Sequence, residues 1–429
     1  MTTTSYTNRP DITVVVCRPS DPGVEPLASA IVVTLASRGL SVDAVAVTAP
    51  DAGHAPPTPT DTERWRLVPA ASDSDGDRLR AGLIGAAGQY ILVVDPAVST
   101  DPELALRLWD AREDAAVVIA SRYLSSTTDR AGGWRWPFSR AMNSLARRAL
   151  ALRIRDVTSA YRLYRRDALP MGTLHAAHRP VQLEIIVHVI GEGWSVAEVA
   201  VGRASEPTWA LGAGVRYTRE FLRAIPGLWQ LRNSVFSADY DERAFNSWIP
   251  LQRYWQRTRF KLVTSFVDPA VRTLDIGCGS SRIIQHLPQG VGLDIQLKKL
   301  RRVQRRNSRL VQASLSELPF ADNAFETVVC SQVIEHIPRE LVRWAEMTRV
   351  LVPGGVMVIG TPDYATWTWP FLEWLYDIVH PKGYVNEHIN QYTAQSLREA
   401  LESHGLEIVA TAYVGGGELI YKAIKTPRP

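Results

Sequence analysis

The stretch that most constrains this chain is "TLDIGCGSSRI", residues 273–283. An apolar run ends in the carboxylate of Asp275, and Gly277 and Gly279 follow before a helix-like segment begins. That order predicts a buried strand, a tight loop and a helix. Glycines belong in such a loop when a ligand must approach the backbone with no Cβ in the way. About 20 residues on, a second strand, "GVGLDI", ends in Asp294. At that spacing a carboxylate can accept hydrogen bonds from ribose hydroxyls. A lone G-x-G would say little; strand, D-x-G-x-G, helix, strand and acid in this order describe a nucleoside-binding unit.

Strand-like and helix-like segments alternate in two blocks, the pattern of parallel α/β sheets. The first block runs from Asp11 to about Arg203, with "ITVVV", "VDAVAV", "YILVVD" and "AAVVIAS" as strands and "APDAGHAPPTPTDTE" as a loop. The second has "RTLDIG", "GVGLDI", "RLVQAS", "ETVVCS" and "GVMVIG", then a terminal pair, "EIVATAYV" and "GELIYKAI". We therefore expect domains at 1–210 and 239–429, joined by linker helices at 211–238. In that linker Pro226-Gly227 would break an amphipathic, basic and aromatic segment into a helix pair, a membrane-surface role being the less favoured alternative.

At 429 residues the chain is too long for one compact core. With 46% apolar and 21% charged residues it is ordinary for a soluble globular enzyme. A net charge of +4 gives no reason to expect a nucleic-acid partner. Cys17, Cys278 and Cys330 lie far apart with no CxxC. That speaks against disulfides and structural zinc, so no metal site is expected and a reducing compartment fits. The segment "MTTTSYTNRPD" has no apolar signal core, and no apolar run is long enough to span a bilayer. The expected location is cytoplasmic, with peripheral membrane contact as an option.

From Asp239 to Lys425 the chain resembles the class I S-adenosylmethionine-dependent methyltransferases. Besides the glycine loop, "SLSELPFADNAFETVVCSQVIEHI" is similar to the family's third strand, Leu-Pro-Phe loop, fourth strand and Glu-His-Ile helix start. "MTRVLVPGGVMVIGTP" resembles its Pro-Gly-Gly turn into the fifth strand. Dinucleotide dehydrogenases compete for the glycine loop, but residues 277–282 lack their third glycine. The resemblance implies S-adenosylmethionine as cofactor and a Rossmann-like fold closed by an antiparallel hairpin. Asp275, Gly277 and Gly279 would line the methionine end, Asp294 would hold the ribose, and Ile295 would lie against the adenine. Ser314, with Leu315 beside it, stands where the family often has an acid near the adenine amine. Ser331 and Gln332 would face the sulfonium. Tyr240, Arg253 and Trp255 are lid candidates, each of which could instead pack its helix.

Methyl transfer needs in-line approach and, for an alcohol, a base near neutral pKa. His388 is the preferred base, with Glu387 or Tyr384 nearby, and His336 is the alternative. The cluster "YATWTWPFLEWLY" could line an acceptor pocket or form the apolar face of a buried helix. The basic run Leu297–Arg309 reads as a solvated helix face, an anionic membrane or phosphorylated substrate being the sharper alternative.

The first block resembles family-2 glycosyltransferases of the dolichol-phosphate mannose synthase type, with a GT-A α/β fold. Ser121-Arg122-Tyr123, Trp136-Pro137-Phe138-Ser139-Arg140, Asn143 and Asp156-Val157-Thr158-Ser159 sit in that family's order. Its donor motifs are eroded. Cys17-Arg18-Pro19-Ser20-Asp21 replaces Pro-x-Tyr-Asn-Glu, "TAPDAG" replaces Asp-Asp-Gly-Ser, and the D-x-D metal site reads Asp95-Pro96-Ala97. One carboxylate holds a divalent cation poorly, although Ser99 and Asp101 could supply oxygens. Arg135, Arg140 and Arg155 would suit a phosphate. These features imply a catalytically silent recognition domain beside a methyltransferase acting on a sugar, glycan or polyprenyl-phosphate-linked acceptor, with transfer to oxygen. The rivals are a bifunctional enzyme and a scaffold with a vestigial cofactor site.

Overall fold

A computed structural model describes residues 9–21, 23–50, 65–124, 135–176, 178, 180–201, 211–306, 309–379 and 388–427. The chain divides into two compact units, Met1–Asn233 and Ser234–Pro429. Each is built on a seven-stranded sheet.

In the first unit the strands are β1 (Ile12–Val16), β2 (Val42–Thr48), β3 (Trp65–Pro69), β4 (Tyr90–Val94), β5 (Val117–Ser121), β6 (Arg162–Arg165) and β7 (Val196–Ala200). Their order is β3-β2-β1-β4-β6-β5-β7, with β6 antiparallel to both β4 and β5 and the other pairs parallel. β1 and β5 are buried along their whole length. That is why they read as unbroken apolar runs rather than alternating ones. Val15, Val45, Ile91 and Val117 face Leu79, Leu83, Ile185 and Phe221. Ile12, Val14, Leu92 and Val118 face Leu27, Ile31, Leu35 and Leu104.

The expected linker is corrected here. Leu211–Asn233 is one continuous helix with Pro226 inside it, and it belongs to the first unit. Phe221 and Leu228, on either side of the proline, are buried in that unit's core. Arg232 Nε donates to the Leu150 carbonyl. Packing on both sides of Pro226 holds the helix together despite the hydrogen bond a proline removes.

The second unit holds β8 (Thr273–Ile276), β9 (Gly290–Asp294), β10 (Leu310–Gln312), β11 (Phe325–Ser331), β12 (Leu351–Pro362), β13 (Leu406–Val414) and β14 (Glu418–Lys425). The order is β10-β9-β8-β11-β12-β14-β13, parallel except for the terminal hairpin, whose β14 runs antiparallel to β12 and β13. This is a Rossmann-like doubly wound sheet closed by an antiparallel hairpin. Leu274, Ile276, Val328, Met357 and Ile359 pack with Met347, Leu397 and Leu401 on one face, and Val329, Val358 and Ile420 with Val263 and Ile283 on the other. Glu418 is fully buried at the hairpin and accepts from Arg259 Nε at 2.6 Å, Arg259 Nη2 at 2.7 Å and Trp255 Nε1 at 2.6 Å. The central strand β8 lies between β9 and β11, so the chain reverses its winding there. A crevice opens beyond the carboxyl ends of strands at such a point.

Candidate active site

The glycine loop leaves β8 with two left-handed residues, Gly277 (φ +66°) and Gly279 (φ +53°). A Cβ on Gly277 would collide with the Val333 side chain, and one on Gly279 would lie 2.7 Å from Asp241 Oδ2. Both conformation and space therefore demand glycine. Ser281 caps the helix Arg282–His286 that follows. Asp294, at the end of β9, accepts from Gly279 N at 2.9 Å and from Gln296 N at 2.8 Å. Its carboxylate ties the two strand ends together. Ile295, just beyond, is 65% exposed and offers an apolar face beside that carboxylate.

Asp275 is buried near the carboxyl end of β8, and its Oδ2 has no hydrogen-bond partner. Burial, and secondarily the charge of Asp294, push its pKa up to about 8. Past β11, Ser331 Oγ and Gln332 Nε2 are likewise buried and unpartnered. Gln332 adopts φ +60°, unusual for a side chain of its size. Asp275, Gly277, Gly279, Asp294, Ser331 and Gln332 are thus brought together at the carboxyl ends of three adjacent strands. Ser314 forms a local turn with Ser316 (2.8 Å) after β10. Leu315 is buried in the core, so only its backbone is left to face a ligand.

The lid candidates separate. Tyr240 opens the short helix Tyr240–Phe245 and is buried. Arg253 and Trp255 lie on the helix Pro250–Ser265, where Trp255 is bound to Glu418 and packs on the terminal hairpin. Sequence reasoning missed the residue that reaches the loop. Asp241 accepts from Ser280 N at 3.0 Å and Ser280 Oγ at 3.1 Å. Burial would raise this carboxyl, but Lys299 and Ser280 outweigh it and hold the pKa below the usual value. The basic run is corrected as well. Arg302 and Arg306 pair with the buried Glu242, and Lys299 lies 3.8 Å from Asp241. Part of that run clamps the Tyr240–Phe245 helix onto the glycine loop rather than facing solvent, because the buried Glu242 and the partly buried Asp241 require cations.

Both candidate bases come to one place. His336 ends a 3-10 turn, Ile334–His336, and its ring centroid lies 5.0 Å from that of His388. His388 Nδ1 donates to Glu373 Oε1 at 2.8 Å, and Tyr364 OH donates to the same oxygen at 2.6 Å. Burial opposes ionisation of Glu373, but the His388 and Tyr364 contacts outweigh it and lower its pKa. The partners of His388 are therefore Glu373 and Tyr364; Glu387 and Tyr384 lie outside the described residues. Glu335 is fully buried, and burial raises its pKa to about 7. The aromatic cluster is not a buried helix face. Trp367, Phe371 and Trp374 are exposed in a row with ring centroids 6.1 and 5.8 Å apart.

In the first unit a cavity of about 340 Å³ is lined by residues including Arg18, Arg122, Arg216, Phe138, Met142 and Tyr217. Arg140 and Arg155 are exposed and not among its lining residues, and the Arg135 side chain lies outside the described ones. Arg122 is locked to the buried Asp156 by two bonds of 2.8 Å. Asn143 in turn accepts from Val157 N. The motifs around residues 122, 143 and 156–159 thus hold this unit together internally. Asp95 Oδ1 accepts from Ala97 N at 3.0 Å, while Asp101 binds Glu103 N and Arg107.

Residues 274–359 match the family model described as a methyltransferase domain. The chain is 28% identical over 138 residues to a demethylmenaquinone methyltransferase of Bacillus cereus, covering 28% of this chain and 56% of the relative. It is 31% identical over 104 residues to the Staphylococcus aureus protein of the same name, covering 21% and 43%. The chain therefore spans about half the length of these relatives. A solved SAM-dependent methyltransferase from Thermotoga maritima aligns over 43% of this chain and 94% of its own, at 18% identity and a TM-score of 0.37. The second unit carries a methyltransferase domain. Among the described residues, no helix is long and apolar enough to cross a membrane.

Proposed function

We propose that the second unit transfers the methyl group of S-adenosylmethionine to a hydroxyl oxygen of a glycan or polyprenyl-phosphate-linked acceptor. In this reading the first unit recognises the acceptor and transfers no sugar. The observation that carries it is the set of buried, unpartnered polar atoms at the carboxyl ends of the adjacent strands β8 and β11: Asp275 Oδ2, Ser331 Oγ and Gln332 Nε2. Leaving such an atom unpaired costs about 1–3 kcal/mol. Three of them beside a glycine loop are explained together by a polar ligand. The ammonium of the cofactor's methionine end would neutralise Asp275, Asp294 would accept from the ribose, and Ile295 would lie against the adenine.

The cofactor supplies an activated methyl group on a sulfonium, so the chain's task is alignment and handling of the acceptor proton. The His336–His388 pair is the place for the second task. Glu373 and Tyr364 fix the orientation of His388 and keep its proton on Nδ1, so that Nε2 carries the lone pair. The exposed row Trp367, Phe371 and Trp374 suits an acceptor with an apolar tail.

For the first unit, the engagement of Asp95 and Asp101 within their own loop and the alanine at position 97 support loss of sugar-donor chemistry. Among the described residues, the cluster with ligand spacing for a cation lies in the second unit. The names of the relatives favour a second reading, transfer to an isoprenoid quinone, which the aromatic row would also suit. Incubation with methyl-labelled cofactor and a cellular lipid extract separates the two. Label in a glycan-bearing lipid supports the first reading, label in the quinone fraction supports the second, and no transfer to any fraction contradicts both.

A further inference from the structure

We propose that Glu335, His336 and His388 form a binding site for one divalent transition-metal cation, with coordination positions left open for oxygens of the acceptor. Each of the three residues offers one ligand atom, and all three atoms lie within 4.8 Å of one another. Donors about 2.1 Å from a shared cation can be up to about 4.2 Å apart, so small side-chain rotations close the set. Glu335 is the anchor. It is 0% exposed, its Oε2 accepts from Thr361 Oγ1 at 3.3 Å, and its Oε1 has no partner. A buried carboxylate oxygen in that state is satisfied by a cation far better than by empty space.

The surroundings are those of a ligating histidine. The Glu373 carboxylate takes the Nδ1 proton of His388 at 2.8 Å, which fixes the tautomer and presents the Nε2 lone pair. Carboxylate partners of this kind orient metal-bound imidazoles and raise their basicity. Asn390, itself buried, donates its backbone N–H to the Glu335 carbonyl at 3.0 Å. The segment bearing His388 is thereby pinned to the turn bearing Glu335 and His336. Two imidazoles and one carboxylate favour Zn²⁺, Fe²⁺, Co²⁺ or Mn²⁺ over Mg²⁺ or Ca²⁺, which prefer all-oxygen sets.

This inference rests on the methyl-transfer reading only for its use, since the site lies three residues past Gln332. A cation there would bind an acceptor hydroxyl, or two neighbouring ones, and lower its pKa. The hydroxyl loses its proton to solvent, and its oxygen bonds to the methyl carbon. The carbon–sulfur bond breaks with its electron pair left on sulfur, giving the neutral thioether, and the metal keeps its oxidation state. The His336–His388 pair thus handles the acceptor proton through the cation, which acidifies the hydroxyl, and the Nε2 lone pair of His388 serves that step by holding the cation.

The test is titration of the untagged, chelator-stripped full chain with Co²⁺, followed by visible absorption, with S-adenosylhomocysteine calorimetry on the same samples. One Co²⁺ per chain is expected, with d–d bands of imidazole ligation. Glu335→Gln and His388→Ala should abolish the bands, Glu373→Gln should weaken uptake about 10–100-fold, and His404→Ala should leave it unchanged. All four variants should still bind S-adenosylhomocysteine, which shows that they fold. No saturable Co²⁺ spectrum, or the same spectrum in His388→Ala, overturns the cation site. Co²⁺ uptake without nucleoside binding would instead overturn the methyl-transfer reading and leave the cation site standing.

Discussion

Asp275 supplies the sharpest quantitative prediction. Its carboxyl has an ordinary pKa near 3.8 and is pushed to about 8 by burial and by Asp294. At pH 7 a group with that pKa is about 0.9 protonated. If the cofactor's ammonium meets this carboxyl, binding ionises it and releases about 0.9 proton per chain at pH 7. Calorimetry of S-adenosylhomocysteine binding in two buffers of different ionisation enthalpy reads that number directly. Below pH 8, wild-type affinity should rise about tenfold per pH unit, whereas Asp275→Asn should lose both the release and the slope. The same group acts on stability with a definite sign. From about pH 4 to 8 the unfolded carboxyl is ionised while the buried one stays protonated, so the ligand-free unit loses stability as pH rises. An equal proton release in wild type and Asp275→Asn would refute the placement of the ammonium against Asp275.

Other positions give independent outcomes. Asp294→Ala removes the proposed ribose acceptor together with the acceptor for Gly279 N and Gln296 N, and should weaken S-adenosylhomocysteine binding by about 10–150-fold, given about 1.5–3 kcal/mol for the one hydrogen bond to the ligand. Glu418→Gln leaves Arg259 without its buried counter-charge and should cost about 3–5 kcal/mol, seen as a lowered melting transition of the second unit. UDP- and GDP-sugars with Mn²⁺ should give no thermal stabilisation, and a clear rise in melting temperature would return sugar-donor binding to the first unit.

Much of the fold was legible because parallel, doubly covered strands such as β1, β5 and β8 are continuous apolar runs. β3 and β6 were not. β3 is a half-exposed edge strand, and β6 carries Arg162, which looks like a surface residue. It is fully buried because the carbonyls of Ser159, Gln182 and Val157 take its guanidinium at 2.6–2.8 Å. No local pattern announces partners 3 to 20 residues away. Pro226 misled for a related reason, since the packing of Phe221 and Leu228 outweighs the local break.

The site divides along the same line. Asp275, Gly277, Gly279 and Asp294 could be read because a strand–loop–strand unit fixes their spacing. Asp241, Glu373 and Tyr364 could not, since each acts on a residue from another segment. Glu335 left a trace as the acid before His336 at a strand end, but its burial is a property of the fold alone.

In the reading proposed above, the second unit binds a nucleoside cofactor through the loop after β8 and the carboxylate at the end of β9. Isothermal calorimetry of the full chain with S-adenosylhomocysteine tests it most directly. Saturable binding at one site per chain is expected, markedly weakened by Asp294→Ala. An absence of both binding heat and thermal stabilisation in the wild-type chain would contradict it.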